Sequence, residues 1–404
     1  MTFRVSVVAL AVAAALPSIA SAVDFSYSGF STAAYAQTDT DDANVGYQGQ
    51  PEGINSDGTF EMDSKLGVQV TAKFNDVLSA TIQGVAYSDL TGEWEPRLDW
   101  AYMRVQALPS VSVRAGYLRA PTFMYSDSVF IGYANVWVRP PMELYNMSPV
   151  YQMRGVDVTW RGSLGPIQVS VNPYYGDSEV EFAGDTLDTP TWAGAATTLE
   201  YRSWMARVGY SELEIGSTTN ALVPLIDAMR AVGAFCAPCA SEAEHLDTNG
   251  VTMKTLNVGV QYDDGTNFVA SEVANATTGG NYLLPKRKGA YLTYGRRFGG
   301  FMPYVTYAQS RENSPERSRI PSDGPFALFA FAVNTALDSG YSDQDSYSAG
   351  LRYEVPSFSV LDGALLKLQF DHIDAKGGNG MLNQVQPGFD HSLNMVSVSF
   401  DFIF

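Results

Sequence analysis

Only two cysteines occur among 404 residues, three positions apart in Cys236-Ala237-Pro238-Cys239. That count excludes a fold held together by a disulfide framework. Histidine is nearly as scarce: His245, His372 and His391 are the full set, and none stands at the spacing from Ser or Asp that a hydrolytic site uses. Positive charge is also short, with 25 Lys and Arg against 43 Asp and Glu and a formal net charge of −18, which excludes the electrostatic footprint of a nucleic-acid partner. Beyond the first two dozen residues no window holds the roughly 18 uninterrupted apolar residues of a membrane-spanning helix, so any crossing of a bilayer must be made by strands.

The amino-terminal stretch reads differently. Arg4 precedes an apolar run from Val5 to Leu16, Pro17 breaks it, and Ala20-Ser21-Ala22 offers small residues for cleavage. The expectation is a signal peptide over residues 1–22 and a mature chain from Val23, because the run is too short for an uncleaved anchor. Export meets an oxidising compartment, so Cys236 and Cys239 are expected to form a local disulfide. A redox or zinc role fits less well, since His245 is the only nearby histidine and no β-α context surrounds the pair. No phosphate-cradling glycine motif is present, and no cofactor or metal is implied.

What the chain does have is alternation. The last strand sets Asn394, Val396, Val398, Phe400, Phe402 and Phe404 against Ser397, Ser399 and Asp401. In water that stripe would expose three phenylalanines, whereas lipid requires it. About sixteen such segments follow one another, near 24–37, 61–75, 78–88, 96–107, 111–119, 151–161, 166–177, 192–202, 204–214, 252–263, 267–275, 285–298, 300–311, 344–356, 363–375 and 392–404. Separating 267–275 from 285–298 decides between sixteen strands and a count of fourteen or eighteen. Short connections such as Asn75-Asp76 and Arg202-Ser203 alternate with long ones at 38–60, 120–150, 215–251 and 312–343. The fold class is therefore all-β, a transmembrane antiparallel barrel with short periplasmic turns and long outer loops, in a bacterial outer membrane. Period two places Leu66, Val68, Val70 and Ala72 in lipid and Lys65, Gln69, Thr71 and Lys73 in the lumen, with equivalent divisions at 156–160, 256–262, 347–355 and 366–371. Two loop stretches, Leu222 to Met229 and Phe326 to Leu337, carry helical spacing too short to span a bilayer, expected to pack over the barrel mouth or, alternatively, to plug it. Acidic residues Asp39, Asp41, Asp42, Glu52 and Asp57 crowd the first long loop without a neighbouring cation. A solvated loop is the plain reading, and bridging to lipopolysaccharide through divalent cations the sharper one.

The interval after the fifth segment is long, aromatic and marked by proline: Tyr117-Leu118-Arg119-Ala120-Pro121, Gly132-Tyr133, then Trp137-Val138-Arg139-Pro140-Pro141-Met142-Glu143. With the leader, the strands and the terminal phenylalanine, it makes the chain resemble a Gram-negative outer-membrane porin over nearly its whole mature length. The resemblance implies a homotrimeric diffusion channel whose third outer loop, 119–150, folds inward and sets an acidic face against a basic barrel wall. On that basis the loop contributes Arg119, Asp127, Arg139 and Glu143 to the constriction and the wall contributes Lys65, Lys73, Arg104 and Arg114, the wall positions following from strand parity. The alternative is that Arg104 and Arg114 are spent on ion pairs with Asp99 or Asp157, and Glu143 on anchoring the loop. The expected partners are outer-membrane lipid, lipopolysaccharide and small hydrophilic solutes, with moderate cation preference from the acidic loops. A channel selective for a sugar, organic acid or phosphate, with Trp100 or Tyr304 as a binding track, is the alternative, and a barrel enzyme or adhesin the more distant one.

Overall fold

The computed structural model describes residues 23–46, 52–88, 94–148, 150–182, 185–281, 283–284, 286–312, 317–340, 342–356, 363–378 and 380–404. The leader expected at 1–22 lies outside them. Sixteen antiparallel strands close into one barrel. They are β1 Asp24–Thr38, β2 Lys65–Lys73, β3 Leu78–Ser88, β4 Trp94–Leu108, β5 Val111–Arg119, β6 Gln152–Leu164, β7 Ile167–Phe182, β8 Asp185–Tyr201, β9 Trp204–Ile215, β10 Val251–Asp263, β11 Asn267–Thr277, β12 Arg287–Arg296, β13 Phe301–Glu312, β14 Ser342–Glu354, β15 Leu365–Gly378 and β16 Ser392–Ile403. The barrel shuts where β1 meets β16 in the register Phe30↔Ile403 through Thr38↔Met395. Beyond the last pair, Gly29 and Phe404 exchange backbone hydrogen bonds of 2.7 and 3.0 Å.

The outward side chains are the apolar ones: Leu66, Val68, Trp160, Leu256, Tyr347, Leu368, Val398 and Phe404 are all exposed. Their neighbours Lys65, Asp157, Thr255, Lys367 and Ser397 are buried inside. Parity thus divides these strands between hydrocarbon and lumen as the alternation predicts. No helix among the described residues is long and apolar enough to cross a membrane, and the crossing is left to strands.

The β7–β8 hairpin is longer than the alternation suggests, with pairing that continues past a bulge at Gly176/Ser178 to Phe182↔Asp185. The added arm Ser178-Glu179-Val180-Glu181-Phe182 does alternate, but the bulge interrupts the parity it would have to share with the preceding segment.

On the outer end, three helices pack on one another. These are α2 Val223–Ala231, α3 Ala237–Leu246 and α4 Ala327–Gly340, which share one apolar cluster that includes Ile226 and Met229, Cys239 and Leu246, and Val333 and Leu337. α2 and α4 match the two helical spacings, while α3 escapes because its buried face is made of Cys239, Glu242, Ala243 and Leu246, of which only Leu246 is a large apolar residue. Cys236 and Cys239 are disulfide-bonded at its start. Closing so short a loop constrains the unfolded chain by only about 2 kcal/mol in the entropic account, so reduction is expected to loosen this cap and leave bilayer conductance unchanged.

Asp247 closes the cap. Burial pushes its carboxyl up, but hydrogen bonds from the Thr218 hydroxyl, Arg230 and the Asn249 backbone outweigh that and hold it below the usual carboxylate range. A depressed folded value means the stabilisation is complete above the ordinary carboxylate pKa and disappears as pH falls through the lowered one. Hydrogen exchange over residues 217–250 should accordingly gain an acid-dependent component that Asp247→Asn removes.

Candidate pore constriction

The third outer connection leaves β5 at Arg119 and returns at Gln152, and it runs inside the barrel. Its shape comes from short local elements, with single helical turns at Ser126–Ser128 and Gly132–Ala134 and a helix α1 at Met142–Tyr145. Pro140 and Pro141 fix φ ahead of α1 and cannot donate hydrogen bonds, which stiffens the entry into that helix. The rest of its position is set by the barrel wall.

Along one side the contact is a packed seam. Trp137, 1% exposed, donates its indole N–H to Thr293 and Thr306 at 3.0 Å each and stands edge-on to Tyr125 and Tyr291. Lys367 reaches from the wall to the carbonyls of Gly132 and Trp137 at 2.6 and 2.9 Å, with Asp401 beside it at 3.1 Å. Glu272 accepts from the Met124 backbone at 2.6 Å and the Tyr145 hydroxyl at 2.7 Å, and from Asn257 on the neighbouring strand at 2.7 Å. Two glycines let the chains approach. A Cβ on Gly132 would lie 2.1 Å from an Asp401 oxygen, and one on Gly289 would lie 2.4 Å from the Glu143 carbonyl.

Three of the four loop candidates point into this seam. Arg119 is bidentate to Asp99, at 2.6 and 3.0 Å, and its guanidinium lies 4.1 Å from the centre of the Phe130 ring. Arg139 holds Asp63 at 2.5 and 3.1 Å and Ser397 at 2.9 Å, with Asp371 at 3.6 Å. Glu143 accepts from Gln344 at 2.7 Å and from Ser346. All three are nearly inaccessible, and buried charges persist only when partnered in this way. They clamp the loop. Lys65 joins them, buried, with its ammonium 5.7 Å from the Phe130 centroid. Tyr304 likewise belongs to the seam, donating to Gln369 at 2.8 Å.

The opposite side of the lumen stays open. A cavity of about 230 Å³ lies against β4 to β9, lined among others by Arg104, Arg114, Arg161, Arg207 and Asp127. Asp127 is the exposed loop candidate, carried by the first helical turn. Arg104 and Arg114 sit opposite one another in the β4–β5 register, and Arg114 continues to Asp157 on β6, which it grips bidentately. Arg104 instead donates to Gln106 at 2.6 Å. Lys73 stands apart from both groups, at the turn end of β2, 2.8 Å from Asp76. Arg161 and Arg207 complete the cavity wall although the porin resemblance supplies neither. Strand parity does signal Arg161, which shares a face with Asp157 and Thr159.

The acidic first loop is partly spent on local bonds, since Asp39 accepts from Asn394 of β16 and Asp41 from Ser56 within the loop. No histidine lines the arginine-walled cavity: His245 contacts the Ser241 carbonyl in α3, and His372 contacts Asn394 on β16.

Neither a protein-family model nor a curated protein matches the sequence. Solved structures match its shape over almost all of its length. An anion-selective porin from Comamonas acidovorans superposes with a TM-score of 0.53 at 12% identity, over 95% of this chain and 100% of its own. The outer membrane channel DcaP of Acinetobacter baumannii gives 0.55 at 13%, over 96% and 99%. The fold is that of the outer-membrane porins. The trimer form of OmpT, an outer membrane protein of Vibrio cholerae, gives 0.53 at 13%, over 95% and 100%. At such identities the likeness concerns the porin fold alone, and the arginine wall and loop clamp belong to this chain's own residues.

Proposed function

We propose that the protein is a bacterial outer-membrane channel through which small hydrophilic solutes and ions diffuse passively. One observation supports the reading: the inward loop is clamped along one side of the lumen and a polar, arginine-lined cavity lies along the other. A rigid constriction of this kind sorts by size and charge, since apolar solutes lose hydration there without gaining contacts. No energy source or cofactor enters the scheme. The reading includes an exported precursor cleaved near Val23, a homotrimer as in the Vibrio protein's trimer form, and outer loops in contact with lipopolysaccharide.

The purified mature protein, reconstituted in a planar bilayer, is expected to give stepwise ohmic currents, and liposomes containing it should swell at rates that fall with sugar size. Absence of any conductance would end the diffusion reading. Arg104→Ala combined with Arg114→Ala is expected to move the reversal potential toward cations, because two positive lumen charges disappear. Unchanged ion selectivity would remove these side chains from the conducting path.

A further inference from the structure

The cavity beside the loop holds more positive charge than a neutral sieve needs. Arg104, Arg114, Arg161 and Arg207 converge on it from four strands, against Asp127 as its one lining carboxylate. Asp157 neutralises Arg114 alone. Gathering four guanidinium groups costs mutual repulsion in a partly desolvated space, which an anion between them removes.

Their remaining hydrogen-bonding capacity points the same way. A guanidinium carries five N–H donors. Arg207 uses two nitrogens, on the Pro121 carbonyl at 2.8 Å and on Thr198 at 3.4 Å, and its Nε has no acceptor although it is shut off from solvent. Arg104 reaches Gln106, and Arg161 has no side-chain hydrogen bond among the described residues. Ser112, Thr159 and Asn172 add neutral groups to the same cavity.

We propose that this cavity is a binding station for small polyvalent oxyanions, compounds with two or more carboxylate or phosphate groups, held by Arg104, Arg161 and Arg207 while Arg114 stays paired. The proposal rests on the channel reading and narrows it to a solute class. It also sets ion preference against the chain's net charge of −18, because most carboxylates outside the cavity are paired or lie in loops. Oxyanions meet planar guanidinium forks bidentately, which lets a polyvalent anion bridge two strands.

The test is single-channel recording of the full mature protein in ~0.1 M KCl, where screening extends about 10 Å. The reversal potential should favour chloride, and citrate or pyrophosphate should interrupt the current in proportion to concentration. Arg161→Gln with Arg207→Gln should weaken that block by on the order of tenfold or more, two charge-assisted contacts being lost. Arg154→Gln, on the exposed outer stretch of β6, should leave the block unchanged. Block by citrate alone assigns the station to carboxylates and by pyrophosphate alone to phosphates, each supporting it. A channel that conducts, prefers potassium and ignores both anions overturns the station while the diffusion reading stands. A protein that does not conduct overturns the reading beneath it.

Discussion

Arg139→Ala is expected to release the inward loop. The guanidinium is the shared partner of Asp63, Asp371 and Ser397, all inside the seam, and alanine leaves two carboxylates there without it. Removing one member of a buried ionic cluster costs about 3–5 kcal/mol, much of it from the charge left behind. Some of that cost is avoided if the loop lifts and water reaches Asp63. Single-channel currents should then become larger and noisier, and the folded barrel should convert to the unfolded form at lower temperature in detergent. Arg139→Lys should fall between, since an ammonium holds one oxygen where the guanidinium holds two. Currents of native size and steadiness in the alanine variant would show that the loop does not depend on this clamp.

Trp137→Ala should be nearly as damaging by a different route. The indole is buried against Tyr125 and Tyr291, and truncating a buried Trp typically costs about 3–5 kcal/mol through lost contacts and the cavity left behind. Its hydrogen-bond partners are not stranded, because Thr293 and Thr306 already share a bond at 2.8 Å. The loss is therefore one of packing, and Trp137→Phe should recover much of the stability. Swelling of proteoliposomes in a sugar series separates the two outcomes. A faster rate for large sugars means that the void joins the passage, whereas unchanged rates with reduced thermal stability confine the effect to the seam.

These two residues also show where the sequence stops being informative. The strands were legible because hydrocarbon and water impose a period of two on most of them, and the β7–β8 hairpin outran its expected bounds where a bulge at Gly176/Ser178 breaks that period. The inward loop was legible from its length, prolines and aromatics. Which of its charges face solution was not, because pairing across the lumen joins residues remote in sequence: Arg139 with Asp63, 76 positions away, and Glu143 with Gln344, 201 positions away. Asp127, by contrast, makes no clamp and stays exposed, facing the arginine-lined cavity. Glu272 lay hidden for another reason. β11 is apolar on both faces, with Val273 toward lipid and Phe268, Ala270 and Ala274 toward the loop, so parity there does not mark an interior.

The bond between the Thr32 hydroxyl and Asp401, 369 positions apart, bears on how the molecule is made. No part of the sheet can become edgeless until the final dozen residues have been synthesised, exported and zipped against the first strand. A chain truncated before β16 would present two open margins of unpaired amides to the bilayer. Closure of the sheet therefore depends on the contact between segments most distant in the sequence.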